Sequence, residues 1–145
     1  MERKNLIVGQ SGGPTAAINS SLAGVYIGAK ELGADKVYGM RYGIEGLLKE
    51  KIIALDDTLD CELNIELLKR TPSSYLGSCR YKLPEVKEGD EVYKKIFEVL
   101  DKYNIGIFIY IGGNDSMDTI KKLSDYAKIN GSKIRFVGVP KTIDN

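Results

Sequence analysis

The 145-residue sequence contains no histidine, which removes imidazole as a general base, proton shuttle or metal ligand. Histidine-based catalytic triads and the common catalytic zinc sites are excluded with it. Proton transfer falls to Asp, Glu, Lys, Tyr or Cys. Cysteine is scarce as well: Cys61 and Cys79 are the only two. They are too few for a disulfide framework and lack metal-ligand spacing, so a reduced cytosolic compartment is the default expectation. No apolar stretch approaches the ~20 residues needed to cross a bilayer. Met1-Glu2-Arg3-Lys4 leads into only a brief apolar run, and the chain reads as untargeted and cytoplasmic, with no membrane partner. Charge of one sign is also missing, since 21 Lys+Arg against 20 Asp+Glu give a net charge of +1. That leaves no bulk footprint for nucleic acid, and any bound anion has to be gripped locally. Repeats, low-complexity tracts and linker-like stretches are absent too, so residues 1–145 are expected to form one domain.

What is present is an alternation of apolar strands and amphipathic helices. Leu6, Ile7 and Val8 form a short apolar run ending at Gly9, the pattern of a strand buried on both faces. Pro14 suits a first helical position. Ile18, Leu22, Val25, Tyr26, Ala29 and Leu32 then recur at helical spacing up to a stop at Gly33. Small residues in that helix, Ala23, Gly24 and Gly28 among them, would allow close packing on a sheet. Val37 to Met40 reads as a second strand. Between Arg41 and Tyr81 the pattern is weaker: a glycine-punctuated stretch at Gly43 and Gly46, a short strand at Ile52 to Leu55, and a short helix around Ile65 to Lys69.

Val92, Ile96, Val99, Leu100 and Tyr103 mark an amphipathic helix, and Ile107 to Ile111 a second fully apolar strand, broken by Gly112-Gly113. Ile120, Leu123 and Ala127 mark another helix closing near Gly131, and Ile134 to Val139 a further strand running into Pro140. The expected fold class is α/β: a Rossmann-like three-layer α/β/α arrangement with a mainly parallel sheet. The 9 tyrosines and 3 phenylalanines read as packing residues at the core edge and surface. Lys94-Lys95 and Lys121-Lys122 read as solvated helix faces.

Three loops follow the three best strands: Gly9-Gln10-Ser11-Gly12-Gly13-Pro14-Thr15, Gly112-Gly113-Asn114-Asp115-Ser116, and Pro140-Lys141-Thr142-Ile143-Asp144-Asn145. In an open α/β sheet, ligands bind beyond the carboxyl ends of the strands, so these loops should meet at one crevice. Paired glycines at a helix N-terminus present backbone N–H groups to an anion such as phosphate. A lone Gly-Gly is equally a tight turn. Ser11, Thr15 and Ser116 suit phosphate oxygens or helix caps. Asp115 and Asp144 suit cation binding and proton acceptance, against the alternatives of an N-cap and a solvated carboxylate. Lys141 suits charge neutralisation on a transferring phosphoryl group.

These loops, together with Asn19, Gly43-Ile44-Glu45-Gly46-Leu47 and Leu76-Gly77-Ser78-Cys79-Arg80, resemble in order the N-terminal half of the 6-phosphofructokinase family. The most specific match is Pro140-Lys141-Thr142-Ile143-Asp144-Asn145. The resemblance implies phosphoryl transfer to the 1-hydroxyl of fructose 6-phosphate, with Mg²⁺ as cofactor. By the same resemblance, Asp144 is the catalytic base, aided by Lys141, and Thr142 and Asp144 lie on the sugar-phosphate side. The donor site draws on Gly12, Gly13, Arg80, Gly113, Asn114 and Ser116.

Pyrophosphate-using members look like this chain in carrying Asp and Lys at positions 115 and 141, where ATP-using members carry glycine. An Asp side chain would crowd and repel a nucleotide's α-phosphate, and a Lys stabilises a compact polyanion. Pyrophosphate is therefore the expected donor and ATP the alternative. Asn114 departs from the family, which usually has a Mg²⁺-associated Asp there, so the metal is expected to rely on Asp115, on Asp118 one helical turn later, or mainly on donor oxygens and water. The chain stops before another expected Asp and before the half that supplies most sugar-phosphate contacts. A fragment, inert or nearly so alone but drawn from a homo-oligomeric enzyme, is the expectation. NAD or diacylglycerol kinases fit the last loop poorly, and Asp144 with Lys141 disfavours a non-catalytic regulatory subunit.

Overall fold

The computed structural model describes residues 5–11, 16–59, 61–70, 76, 83–85 and 90–140. Among them the chain forms β1 (Asn5–Gln10), α1 (Ala16–Glu31), β2 (Val37–Met40), α2 (Gly43–Leu48), β3 (Ile52–Ala54), α3 (Leu55–Thr58), α4 (Glu62–Arg70), α5 (Asp90–Lys102), β4 (Ile105–Gly112), α6 (Asn114–Ile129) and β5 (Arg135–Pro140). The strands lie in the order β3-β2-β1-β4-β5. β1 pairs in parallel with β2 and β4, and β4 pairs in parallel with β5.

Alternation along the central strands divides the core in two. Ile7, Phe108 and Tyr110 face one side, where Ile44, Leu47, Ile96 and Leu123 from α2, α5 and α6 cover them. Leu6, Val8 and Ile111 face the other, against Leu22 and Tyr26 of α1 and Leu68 of α4. The three layers follow directly from this two-residue period. Right-handed crossovers running in opposite directions from β1 and β4 put α1 and α6 on opposite faces. Removing a ring such as the fully buried Phe108 would cost about 3–5 kcal/mol.

Several local expectations change. The Gly43–Gly46 stretch is helical: Tyr42 and Gly43 take left-handed backbone, φ 60° and 59°, and the chain turns tightly into α2. A Cβ at Gly46 would collide with the Arg41 carbonyl, so the second glycine is required by that turn. β3 runs antiparallel to β2, with Met40 facing Ile52, because the short return through α2 brings the chain back to the edge it left and makes no crossover.

β5 is half exposed, with Val137 at 43%; it is an edge strand of the described sheet. Leu32 lies past the end of α1 and is exposed. Gly24 and Gly28 have open space where a Cβ would stand, so the close contact to the sheet is made by Leu22, Ala23 and Tyr26 instead. Tyr93 and Tyr110 are buried in the core, beyond the edge role expected of tyrosine.

Candidate functional site

β1 and β4 are neighbours from which the chain departs in opposite directions, toward β2 on one side and β5 on the other. That is a topological switch point, where an open α/β sheet leaves a crevice beyond its carboxyl edge. The Ser11 amide donates to the Ile111 carbonyl at 2.8 Å, holding the exits of β1 and β4 side by side. Gly112 pairs with Pro140, which sets the exit of β5 next to them. All three loops singled out in the sequence therefore leave the sheet at one edge. Gly12 and Gly13 on the first loop, Lys141, Thr142 and Asp144 on the third, and Arg80 lie outside the described residues; the second loop is described throughout.

α6 begins at this edge. Gly113 is its N-cap, in extended backbone and without a side-chain cap, and its carbonyl accepts the Ser116 and Met117 amides at 3.1 Å each. Asp115 sits within the first turn, so the N-cap alternative for this residue is replaced by an exposed carboxylate at the positive end of the helix dipole. Asn114 is exposed beside it. Ser116 turns inward and is 2% exposed. A Cβ on Gly112 would overlap Ser116 Oγ and come within 2.5 Å of the Ser11 carbonyl oxygen. Gly112 is thus the residue that lets β1, β4 and α6 converge.

Gln10 is a functional candidate that the sequence pattern passed over. It ends β1 fully buried, donates through Nε2 to Asn19 Oδ1 at 3.1 Å, and accepts the Leu76 amide through Oε1 at 2.7 Å. A polar residue closing an otherwise apolar strand was the available signal. Tyr110 of β4 similarly accepts the Ile44 amide at 3.3 Å, fixing the start of α2 to the central sheet.

One expectation about charge, that of a solvated Lys122, is corrected. Asp118, one of the candidates for the metal, is bonded to Lys122 at 3.0 Å, and this bond above all holds the Lys122 ammonium above the usual lysine range. Lys122 itself is no solvated residue: it donates to the Leu83 carbonyl at 3.0 Å. Glu45 lies 3.9 Å from Lys49 one helical turn on. Among the described residues no three carboxylate or thiol groups gather into a metal site. Asp115 alone fits a Mg²⁺ that keeps most of its ligands as water and donor oxygens, the usual habit of that ion.

Residues 5–145 match the family described as Phosphofructokinase. The chain is 43% identical over 145 residues to the pyrophosphate--fructose 6-phosphate 1-phosphotransferase of Xanthomonas campestris pv. campestris, covering 100% of this chain and 34% of that protein. It is 32% identical over 142 residues to an ATP-dependent 6-phosphofructokinase of Actinobacillus pleuropneumoniae, covering 98% of this chain and 40% of that one. The crystal structure of the pyrophosphate-dependent phosphofructokinase from Nitrosospira multiformis superposes with a TM-score of 0.88 at 39% identity, over 99% of this chain and 35% of that chain. The chain spans about a third of the length of the pyrophosphate-using relatives it matches. With the switch-point sheet, the glycine turn into α6 and this match over residues 5–145, the chain belongs to the phosphofructokinase family.

Proposed function

We propose that residues 1–145 form the N-terminal, phosphoryl-donor-binding domain of a pyrophosphate-dependent phosphofructokinase, which transfers a phosphoryl group to the 1-hydroxyl of fructose 6-phosphate in glycolysis. The observation that carries this reading is the head of α6 at the switch point, where the Gly112-Gly113 turn starts the helix at the carboxyl edge of the sheet with Asn114 and Asp115 exposed in its first turn. An N-terminal helix end there favours a compact anion. The four pyrophosphate-using relatives at 37 to 43% identity support pyrophosphate as that anion.

In this reading Gly12, Gly13, Gly113, Asn114 and Ser116 cradle the donor, and Arg80 clamps it with its planar fork. Lys141 neutralises charge on the phosphoryl group in flight. Thr142 orients the sugar phosphate. Asp144 accepts the proton of the 1-hydroxyl as that oxygen bonds to phosphorus, the bridging P–O bond of pyrophosphate breaks, and orthophosphate leaves. Asp115 would hold Mg²⁺, which when bound screens the negative charge on the donor oxygens. The enzyme works as a cytoplasmic homo-oligomer, and the chain alone, lacking most sugar-phosphate contacts, turns over little or no substrate.

The test is a donor comparison on a full-length enzyme carrying this chain, with Mg²⁺ and fructose 6-phosphate. Turnover with pyrophosphate and little with ATP is expected; the reverse preference overturns the donor assignment. The 32% identity to an ATP-dependent relative makes ATP the second reading, and the same assay decides it.

A further inference from the structure

Two helices end at the amino edge of the sheet, α5 at Lys102 and α6 at Ile129. Between them and the turn into β5 lies a cavity of about 610 Å³, lined by Lys94, Phe97, Glu98 and Asp101 of α5, Tyr126 and Asn130 at the end of α6, and Lys133 of the turn. That volume falls within the range of small-molecule sites, about 300–1,000 Å³. The four α5 residues follow one another at steps of three, one and three, which puts them on one face of the helix.

One wall is aromatic and held from behind. The rings of Phe97 and Tyr126 have their centroids 5.0 Å apart, Tyr126 stacks on the buried Tyr93 at 5.0 Å, and Phe97 leans on Phe136 at 5.6 Å. Core packing fixes these rings, so a planar apolar group meets a surface that costs little to order. Asn130 is fixed as well, since its backbone amide and its Nδ2 both donate to the Tyr126 carbonyl, at 3.1 and 2.9 Å.

The charges line the cavity without pairing across it. Glu98 and Lys133 are of opposite sign, yet among the described residues neither is in an ion pair. Lys102, one turn past Glu98 on α5, gives its ammonium to Glu50 at 2.8 Å instead. The carboxyl ends of α5 and α6 each add about half a negative charge. A lone anion therefore meets two carboxylates and two negative helix ends, and a lone cation leaves Lys133 unmatched. A molecule that carries both signs satisfies both side chains. In an α-amino acid one carbon separates the ammonium from the carboxylate, so the pair bridges two side chains that stand too far apart to bond each other.

We propose that this cavity binds a free α-amino acid with an aromatic side chain, its ammonium paired with Glu98, its carboxylate with Lys133 and its ring against Phe97 and Tyr126. The site lies at the opposite edge of the sheet from the head of α6 and does not rest on the donor assignment.

The experiment is an amide chemical-shift titration of the 145-residue chain with phenylalanine, repeated with phenethylamine, which lacks the carboxylate, with hydrocinnamate, which lacks the ammonium, and with alanine, which lacks the ring. Phenylalanine should shift residues 94–101 and 126–133 with a roughly millimolar Kd, and each of the other three should bind about threefold more weakly or worse. Glu98→Gln should weaken phenylalanine about threefold and leave hydrocinnamate unchanged; Lys133→Met should weaken phenylalanine about threefold and leave phenethylamine unchanged. Both side chains are exposed, so the melting temperature of each variant should match wild type. No phenylalanine shifts in 94–101 and 126–133 overturns the site. Phenethylamine or hydrocinnamate binding as tightly as phenylalanine overturns recognition of both charges, and alanine doing so overturns the role of the rings. Phenylalanine affinity unchanged in both variants overturns the assignment of Glu98 and Lys133.

Discussion

At the amino edge of the sheet, polar groups are bound mainly to one another. Asp56 pairs with Lys30 at 2.7 Å and accepts the Val37 amide at 3.0 Å and the Tyr26 hydroxyl at 3.1 Å. Burial pushes its carboxyl up, but the three donors outweigh that and hold it below the usual aspartate range. Close to the same edge, where α5 and α6 end, lies a cavity of about 610 Å³ lined by Lys94, Glu98, Asp101 and Lys133, with Phe97 and Tyr126.

The carboxyl edge is built differently. There Gln10 and Tyr42 bind backbone atoms of Leu76, a glycine turn opens α6, and Asp115 stays exposed, in no ion pair with a described residue. A sizeable cavity is a usual first guess for a site, and here it is outweighed. Its lining mixes both charges, and it meets the C-terminal, negative end of α6, which disfavours an anion. Strand direction, and not cavity size, is the basis on which the donor site is proposed.

The sharpest way to break this comparison is to fill the carboxyl edge. Gly112→Val drives a branched side chain into Ser116 and the Ser11 carbonyl. It should cost about 3 kcal/mol, lower the melting temperature by several degrees and abolish pyrophosphate binding. A melt indistinguishable from wild type would show that the edge is not packed as described. Gln10→Leu leaves the Leu76 amide without its acceptor and should cost about 1–3 kcal/mol in urea unfolding.

At the amino edge the signature is pH. The depressed Asp56 value stabilises the fold fully above the ordinary aspartate pKa of about 3.9, and that stabilisation is lost as pH falls through the lower folded value. Asp56→Asn should therefore be less stable than wild type at neutral pH, with the gap closing in acid, and should keep its affinity for pyrophosphate. Denaturant titrations at several pH values check this. The smallest effect is expected from Lys94→Ala combined with Lys133→Ala at the cavity, which should leave pyrophosphate affinity within about twofold of wild type by calorimetry.

Sequence legibility followed the same division. Ile107 to Ile111 was readable as a strand because both of its faces meet a core, and the three edge loops followed from strand direction alone. α2 was hidden because Gly43 and Gly46 argue against a helix, and tertiary contacts override that propensity: Ile44 and Leu47 are buried, and Tyr110 takes the Ile44 amide. Lys122 looked solvated because two of its partners, Leu83 and Glu85, come from a segment far off in sequence. The exposed residues on β5 were unreadable for the opposite reason, since an apolar run does not say how many of its faces are covered.

The most direct measurement is an amide chemical-shift titration of the chain with magnesium pyrophosphate. Shifts should concentrate on residues 9–11 and 112–117 and spare 94–101 and 130–133. The reverse distribution, with the amino-edge cavity responding and the head of α6 silent, would contradict the placement of the donor site at the switch point.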